Sequence, residues 1–276
     1  MIATFRYEFH MQIRRPALWI VYGLAYAATV AGFLPLYLNP NLGQLGDAPK
    51  TAVVVSTSLI MSLLPMVYGC LITDRLVRDR WLGVGEILNA TPAGRTGRLI
   101  GKYLGVCAAT AVPLALVHTG RAVVYAITEG EPAALGWAGA ILVLAVVPGL
   151  LMAGALALTG PLLMSSVPFQ MLFVAYWFWG SVVPASVMPT LSDSVLSPGA
   201  EYVVFGLLGY EPVPEPAPHL IVPPGHGRYP PWPDAPPDFL RPEAGPAVAW
   251  LWIGVMLGFA ALLLLLARLH AIRTES

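Results

Sequence analysis

The chain has 276 residues, of which 57 % are hydrophobic and only 11 % are charged. Soluble domains carry about 25 % charged residues, so this composition excludes an ordinary soluble domain as well as disordered and collagen-like chains. The two cysteines both lie within apolar runs, which excludes a disulfide framework. The 15 basic and 15 acidic residues cancel, and this balance gives no indication of nucleic-acid binding. The sequence therefore predicts an all-α membrane protein that crosses the bilayer several times.

The first segment, residues 1–16, is predicted to form an amphipathic helix in the membrane interface. One helical face is apolar and recurs about every four residues: Ile2, Phe5, Phe9 and Ile13. A basic row lies beside that face: Arg6, His10 and Arg14. Two roles stay open for this helix, a plain membrane anchor or a lever joined to the first span by Pro16.

Six apolar stretches follow, each long enough at about 1.5 Å per residue to cross about 30 Å of hydrocarbon. They cover residues 17–38, 51–73, 99–127, 135–159, 162–188 and 246–268. Only Gly160 and Pro161 separate the fourth span from the fifth. On one side of the membrane lie 11 of the 15 basic residues. The positive-inside rule makes that side cytoplasmic, so both termini are predicted to lie in the cytoplasm. The membrane is predicted to be the plasma membrane.

The connection between spans two and three, residues 74–98, mixes charged and apolar residues. Its apolar residues fall near one side of a helix: Leu76, Val77, Trp81, Val84 and Leu88. That helix ends at Thr91, because the residue before a proline is pushed out of the α region. Pro92 is then well placed at the start of a second helix. The pattern predicts a cytoplasmic helical hairpin, and the alternative is an ordinary basic loop that obeys the positive-inside rule.

This hairpin and the start of the third span resemble the cytoplasmic loop of ABC type-2 transporter permeases. In that family an acidic-basic run is followed by Gly-Thr, an acidic residue, two or three leucines, Thr-Pro, a basic residue and Gly-Lys. The matching positions are Asp79, Gly83, Glu86, Leu88, Thr91, Pro92, Arg95, Gly101 and Lys102. The sequence departs from the pattern at Val84, where the family often has threonine, and at Gly85, where it has a leucine-like residue. Residues 5–16 and 196–202 resemble, more weakly, the family's interfacial helix and the external segment before its last span.

The resemblance implies a single permease domain over residues 1–276 that works in the lipid bilayer with a second permease subunit, identical or related. It also implies that the hairpin docks on separate cytoplasmic ABC ATPase subunits. The implied coupling residues are Asp79, Arg80, Trp81, Leu82, Glu86, Thr91, Pro92 and Arg95. We expect Trp81 or Leu82 to be the apolar anchor, with Asp79 and Glu86 pairing with basic groups of the ATPase.

ATP and Mg²⁺ are expected on the partner ATPase, with no cofactor in this chain and no enzymatic activity of its own. The run from Gly97 to Lys102 has the wrong spacing for a phosphate-binding loop, and a tyrosine follows where that loop has Ser or Thr. The implied function is export of a lipid-like, amphipathic or drug-like compound. The alternative is a membrane protein that uses the same ATPase coupling to transmit force or a signal without moving a substrate.

Polar and aromatic side chains within the spans are candidates for a substrate path. His118, Arg121 and Tyr125 share one face of span three, and ionisable groups inside a membrane are functional candidates. Arg121 lies about 28 Å along the helix from Lys102, so it alternatively reaches lipid phosphates at the outer interface. Span five carries an aromatic cluster that either packs in the core or lines the path of an apolar substrate. Its path candidates are Phe173, Tyr176 and Trp177.

Small residues recur at four-residue spacing in three spans, which allows helix backbones to approach closely. They are Gly97, Gly101 and Gly105 before and within span three, Ala145, Gly149, Ala153 and Ala157 in span four, and Gly254 and Gly258 in span six. The pattern predicts packing within one bundle, and the alternative is a dimer seam or a sliding surface.

Residues 189–245 are predicted to form an external segment between spans five and six. Residues 197–210 are expected to form one or two short helices that dip back toward the membrane. Of the 36 residues from 211 to 246, 13 are proline, which excludes a helix or central strand and favours an extended chain. This stretch is interpreted as a semi-rigid connector, or alternatively as a lid or a partner contact. Its His and Asp residues are too irregularly spaced to predict a metal site.

Overall fold

The computed structural model describes residues 1–32, 48–73, 75–76, 94–183, 190–192, 194–209, 240 and 242–275. Within these ranges the chain is helical and contains no strand. The α-helices are α1 (Ile2–Ile13), α2 (Pro16–Gly32), α3 (Ala48–Ile72), α4 (Arg95–Thr128), α5 (Ala133–Ile141), α6 (Val147–Thr159), α7 (Ser166–Trp177), α8 (Glu201–Gly206) and α9 (Pro246–Glu275). The predicted all-α class is therefore confirmed for the described residues.

Three helices in the described ranges are long and apolar enough to cross a membrane: Thr96–Thr128, Ala133–Leu162 and Pro246–His270. Two shorter apolar helices, Pro16–Ala28 and Leu63–Ile72, overlap predicted spans one and two. These helices indicate a protein embedded in a membrane. The total of six spans stays a prediction.

Between α5 and α7, the irregular helical segments lie next to prolines. A π-helical segment, Leu142–Val146, joins α5 to α6 and ends two residues before Pro148. Pro148 has no backbone N–H to continue the α-helical ladder. α6 ends at Thr159, at the predicted break, and a 3-10 turn covers Gly160–Leu162. The next helix begins at Ser166, four residues later than the predicted start of span five, because Ser165 is extended.

The centre of the bundle is formed by α3, α4 and α6. α2 and α7 pack against α3. α9 packs against α6 and also against the short helix α8. The largest side chains without solvent exposure mark this core: Trp177, Trp252, Tyr68, Tyr202 and Phe173. Some buried threonines satisfy their hydroxyl groups within their own helices, as Thr159 does by donating to the Ala155 carbonyl at 2.8 Å.

The prediction of close packing at small residues holds in the centre of the bundle and fails on α9. Ala153 and Ala157 of α6 are fully buried. A Cβ atom added at Gly254 or Gly258 would meet nothing within 4 Å. Within the described residues, the predicted packing at these two glycines is therefore wrong, because no neighbouring helix approaches them.

Candidate functional site

Most of the predicted coupling hairpin, residues 74–98, lies outside the described residues. Arg75 and Leu76 are helical, and Arg75 is buried. Gly94 is exposed, and Arg95 is the first residue of α4. The predicted coupling residues outside the described ranges are Asp79, Arg80, Trp81, Leu82, Glu86, Thr91 and Pro92. The structure therefore describes only the two ends of the predicted hairpin, and the end where α4 begins is called the base of the hairpin below.

At this base, α1 lies lengthwise on the first half of α4. A Cβ atom at Gly101 would lie 2.6 Å from the Met1 carbonyl oxygen, and one at Gly105 would lie 2.6 Å from the Phe5 carbonyl oxygen. Gly97 faces Met1 at a greater distance, 3.8 Å to its Cβ. Only residues without a side chain permit backbones to approach this closely. Because the contacts advance in the same direction along both helices, α1 runs parallel to α4.

Two polar contacts join the same pair of helices. Lys102 Nζ lies 3.9 Å from Glu8 Oε1, and both side chains are 9 % exposed. Gln12 Nε2 donates to Thr110 Oγ1 at 3.0 Å in a buried site. A buried charge is tolerated when an opposite charge accompanies it, so the two pairs fix the rotation of α1 about its axis.

The buried face of α1 differs from the expected one. Glu8 and Gln12 are the most buried residues of the helix, whereas the apolar row was predicted to be buried in the membrane interface. Ile2 is 70 % exposed, and three members of the apolar row are half-buried: Phe5, Phe9 and Ile13. The reason is that α4 presents a row of glycines to α1, with Lys102 and Thr110 beside this row. The sequence pattern of α1 alone gives no information about this partner.

The junction between α1 and α2 is short and held by a hydrogen bond. α1 ends at Ile13 and α2 begins at Pro16. The Trp19 indole Nε1 donates to the Ile13 carbonyl oxygen at 2.9 Å, across this junction. Leu18 is buried beside it. α1 and α2 are therefore closely joined at this junction.

His118 is a buried polar group at the meeting point of three helices. Its Nδ1 lies 3.1 Å from Thr57 Oγ1 on α3, and its Nε2 lies 3.0 Å from the Ala138 carbonyl oxygen on α5. Because a carbonyl oxygen only accepts, Nε2 carries a proton. The imidazole therefore joins α3, α4 and α5. Arg121 and Tyr125, predicted on the same face, follow along α4 and are half-buried.

The aromatic residues of the fifth predicted span pack against α3. The ring centroids of Phe173 and Trp177 lie 6.0 Å apart, and the Phe173 ring occupies the space that a side chain at Gly69 would need. Trp177 Nε1 donates to the Met61 carbonyl oxygen at 3.3 Å. Tyr176 is half-buried. These contacts agree with the core interpretation of Phe173 and Trp177 in this conformation.

The segment that was predicted to be external is attached to the bundle by polar contacts that were not predicted from the sequence. Ser197 is fully buried, and its hydroxyl donates to the Gly180 carbonyl oxygen at 3.0 Å. The Trp252 indole of α9 donates to the Ser197 carbonyl oxygen, also at 3.0 Å. The short helix α8 follows, within the range predicted for it. In the sequence, the Ser197-Pro198 dipeptide indicated a turn here, but it did not indicate the hydrogen-bond partners of Ser197.

Lys50, at the start of α3, holds the end of the same segment. Its Nζ donates to the Gly209 carbonyl oxygen at 2.7 Å and lies 5.2 Å from the centre of the Trp137 ring. Gly209 has φ +55°, in the left-handed region that favours glycine. In the sequence, the indication of this contact is a single basic residue directly before an apolar span.

Within the described part of the chain, no group of three His, Cys, Asp or Glu side chains is placed to hold a metal ion. The site is instead a set of helix-to-helix contacts that begins at the base of the hairpin and passes through α1, α2 and α4. No family model matches this sequence, and neither a curated protein nor a solved structure matches it.

Proposed function

We propose that this chain is the membrane-spanning permease subunit of an ABC exporter, driven by separate cytoplasmic ATPase subunits. The observation that carries the proposal is the sequence pattern from Asp79 to Lys102, between two apolar spans. The position of Lys102 supports it, because this residue is buried against Glu8 at the base of the hairpin. A hairpin that receives force from a partner needs a stiff base, and the packed pair of α1 and α4 supplies one.

In this proposal the hairpin transmits the movement of the ATPases to the spans. α4 continues directly from the hairpin, so a push on the hairpin acts along a 34-residue helix. The tight contacts at Gly101 and Gly105 make α1 follow α4. α1 then moves α2 through their short junction, so that one coupling element displaces two helices of the bundle.

The proposed arrangement has six spans in the plasma membrane, both termini in the cytoplasm, and a second permease subunit, identical or related. The proposed cargo is lipid-like, amphipathic or drug-like. The proposed path residues are His118, Arg121, Tyr125, Phe173, Tyr176 and Trp177. Because Phe173 and Trp177 pack against α3, passage along them requires α3 and α7 to separate during transport.

The test is retention of the ATPase on purified permease carrying Trp81→Ala or Glu86→Ala. Loss of an aromatic anchor costs about 2 kcal/mol or more, which is about a thirtyfold loss of affinity. Loss of an exposed charge pair costs about 0–1 kcal/mol, so Trp81→Ala is expected to be the more damaging. Trp250→Ala is the matched control, because Trp250 is 56 % exposed on α9, far along the chain from the hairpin. Thermal unfolding in detergent checks that each variant is folded.

If both hairpin variants hold the ATPase as tightly as the parent chain, the hairpin is an ordinary basic loop and the proposal is wrong. Retained ATPase without movement of any substrate would favour the force-transmitting alternative. Topology is tested with Ala235→Cys and Ala93→Cys. A membrane-impermeant thiol reagent applied to intact cells should label the first and spare the second, and the reverse pattern would invert the orientation.

A further inference from the structure

We propose that the outer face of α1 is a binding surface for the head groups of anionic phospholipids. The outer face is defined by five exposed side chains: Ile2, Arg6, Tyr7, His10 and Arg14. This inference requires that the chain is embedded in a membrane and requires no ATPase, so it stands apart from the proposed function.

The charge of this face follows from how α1 docks. Glu8 is the only acidic residue between Met1 and Pro16, and it is buried against Lys102 of α4. Docking therefore removes the one negative charge of the segment from solvent and leaves the basic row outside. Within the described ranges, no carboxylate forms an ion pair with Arg6 or Arg14. Two arginines spaced eight residues apart, two helical turns, thus present uncompensated positive charge along one line.

The apolar residues on the same surface point to lipid rather than to an acidic protein. Ile2 is 70 % exposed and Tyr7 is 67 % exposed, whereas Glu8 of the same helix is buried against Lys102. A helix face that exposes both basic and apolar side chains suits the boundary between head groups and acyl chains. An acidic soluble partner would satisfy the arginines and would not require these apolar side chains to be exposed.

The position of the basic row along the chain supports the same occupant. The exposed surface changes at the junction of α1 and α2, where Arg14 is followed by exposed apolar residues of a predicted span. Trp19, Ile20 and Leu24 are 43 %, 59 % and 67 % exposed. Tryptophan is enriched where a span meets the membrane surface. The basic row therefore ends where the exposed apolar surface of α2 begins.

The experiment titrates phosphatidylglycerol or phosphatidylcholine into the purified full-length chain in a neutral detergent and counts bound lipids by native mass spectrometry. Each basic residue near an anionic surface contributes about 1 kcal/mol, about fivefold in affinity. The double variant Arg6→Gln/Arg14→Gln should therefore bind phosphatidylglycerol about thirtyfold more weakly than the parent and bind phosphatidylcholine equally well. Arg268→Gln is the control, since Arg268 is an exposed arginine on α9, and it should change the affinity less than fivefold.

Unchanged phosphatidylglycerol binding in the double variant would overturn the proposal. So would an equal loss for Arg268→Gln, which would show a general effect of charge. If phosphatidylglycerol binding is unchanged and ATPase retention falls, the face docks a protein and the lipid assignment is wrong. If the double variant does not fold, the test uses the parent chain at low salt, where exposed charges act most strongly. Absence of any preference for phosphatidylglycerol over phosphatidylcholine under these conditions would refute the proposed binding surface.

Discussion

Replacing Gly105 with alanine tests whether α1 is docked on α4 as closely as described. The new Cβ would lie 2.6 Å from the Phe5 carbonyl oxygen, 3.2 Å from Phe5 Cα and 3.0 Å from Glu8 Cβ. These atoms belong to the α1 backbone or directly adjoin it, so they cannot rotate away and the whole helix has to shift. Overpacking of this kind costs about 1–3 kcal/mol. The shift also pulls Glu8 away from Lys102.

Gly120→Ala is the matched control, because Gly120 lies on the same helix and a Cβ there meets nothing within 4 Å. Both substitutions gain the same helix propensity, about 1 kcal/mol, so the difference between them isolates the packing effect. We expect Gly105→Ala to be less stable than Gly120→Ala by about 1–3 kcal/mol in denaturant unfolding of the detergent-purified chain. Amide hydrogen exchange in residues 2–13 should rise for Gly105→Ala alone. Equal stabilities with unchanged exchange in α1 would refute the docking.

Replacement of His118 by leucine should lower the unfolding free energy by about 1–3 kcal/mol, because two buried groups on neighbouring helices lose a partner. The adjacent Thr119→Ala removes a hydroxyl that bonds only within its own helix, and equal losses in the same denaturation assay would contradict a bridging role for the histidine. Trp252→Phe should keep the packing and remove the donor to the Ser197 carbonyl oxygen, so hydrogen exchange should accelerate in residues 194–209. The exposed Trp250→Phe should leave that exchange unchanged, and a similar effect of both would argue against this attachment.

The existence of the long helices could be predicted from the sequence, because apolar length is a local property of the chain. The third span, predicted at residues 99–127, lies within α4 at Arg95–Thr128. The four extra residues at its start include Arg95 and Arg98. A hydropathy pattern ends a span at such charges, whereas the helix continues through them into the head-group region.

The partners of polar side chains could not be predicted in the same way. Glu8 and Gln12 read as the polar side of an amphipathic helix, and their burial depends on Lys102 and Thr110, about 100 residues further along the chain. His118 was identified as a candidate from its position inside a span, but its helical spacing gave no information about α3 or α5. Contacts between distant segments leave no periodic pattern in either one.

The parallel docking of α1 on α4 also determines the order of assembly during synthesis. Phe5 leaves the ribosome long before Gly105, which follows it by 100 residues. At about 5–20 residues per second, the first helix waits roughly 5–20 s for the surface that will cover Glu8. During that time its carboxylate and its arginines are all available to the surroundings, and only arrival of α4 gives the helix a one-sided charge. A ribosome paused in the connection between the second and third spans therefore holds a nascent chain whose first helix has no binding site yet.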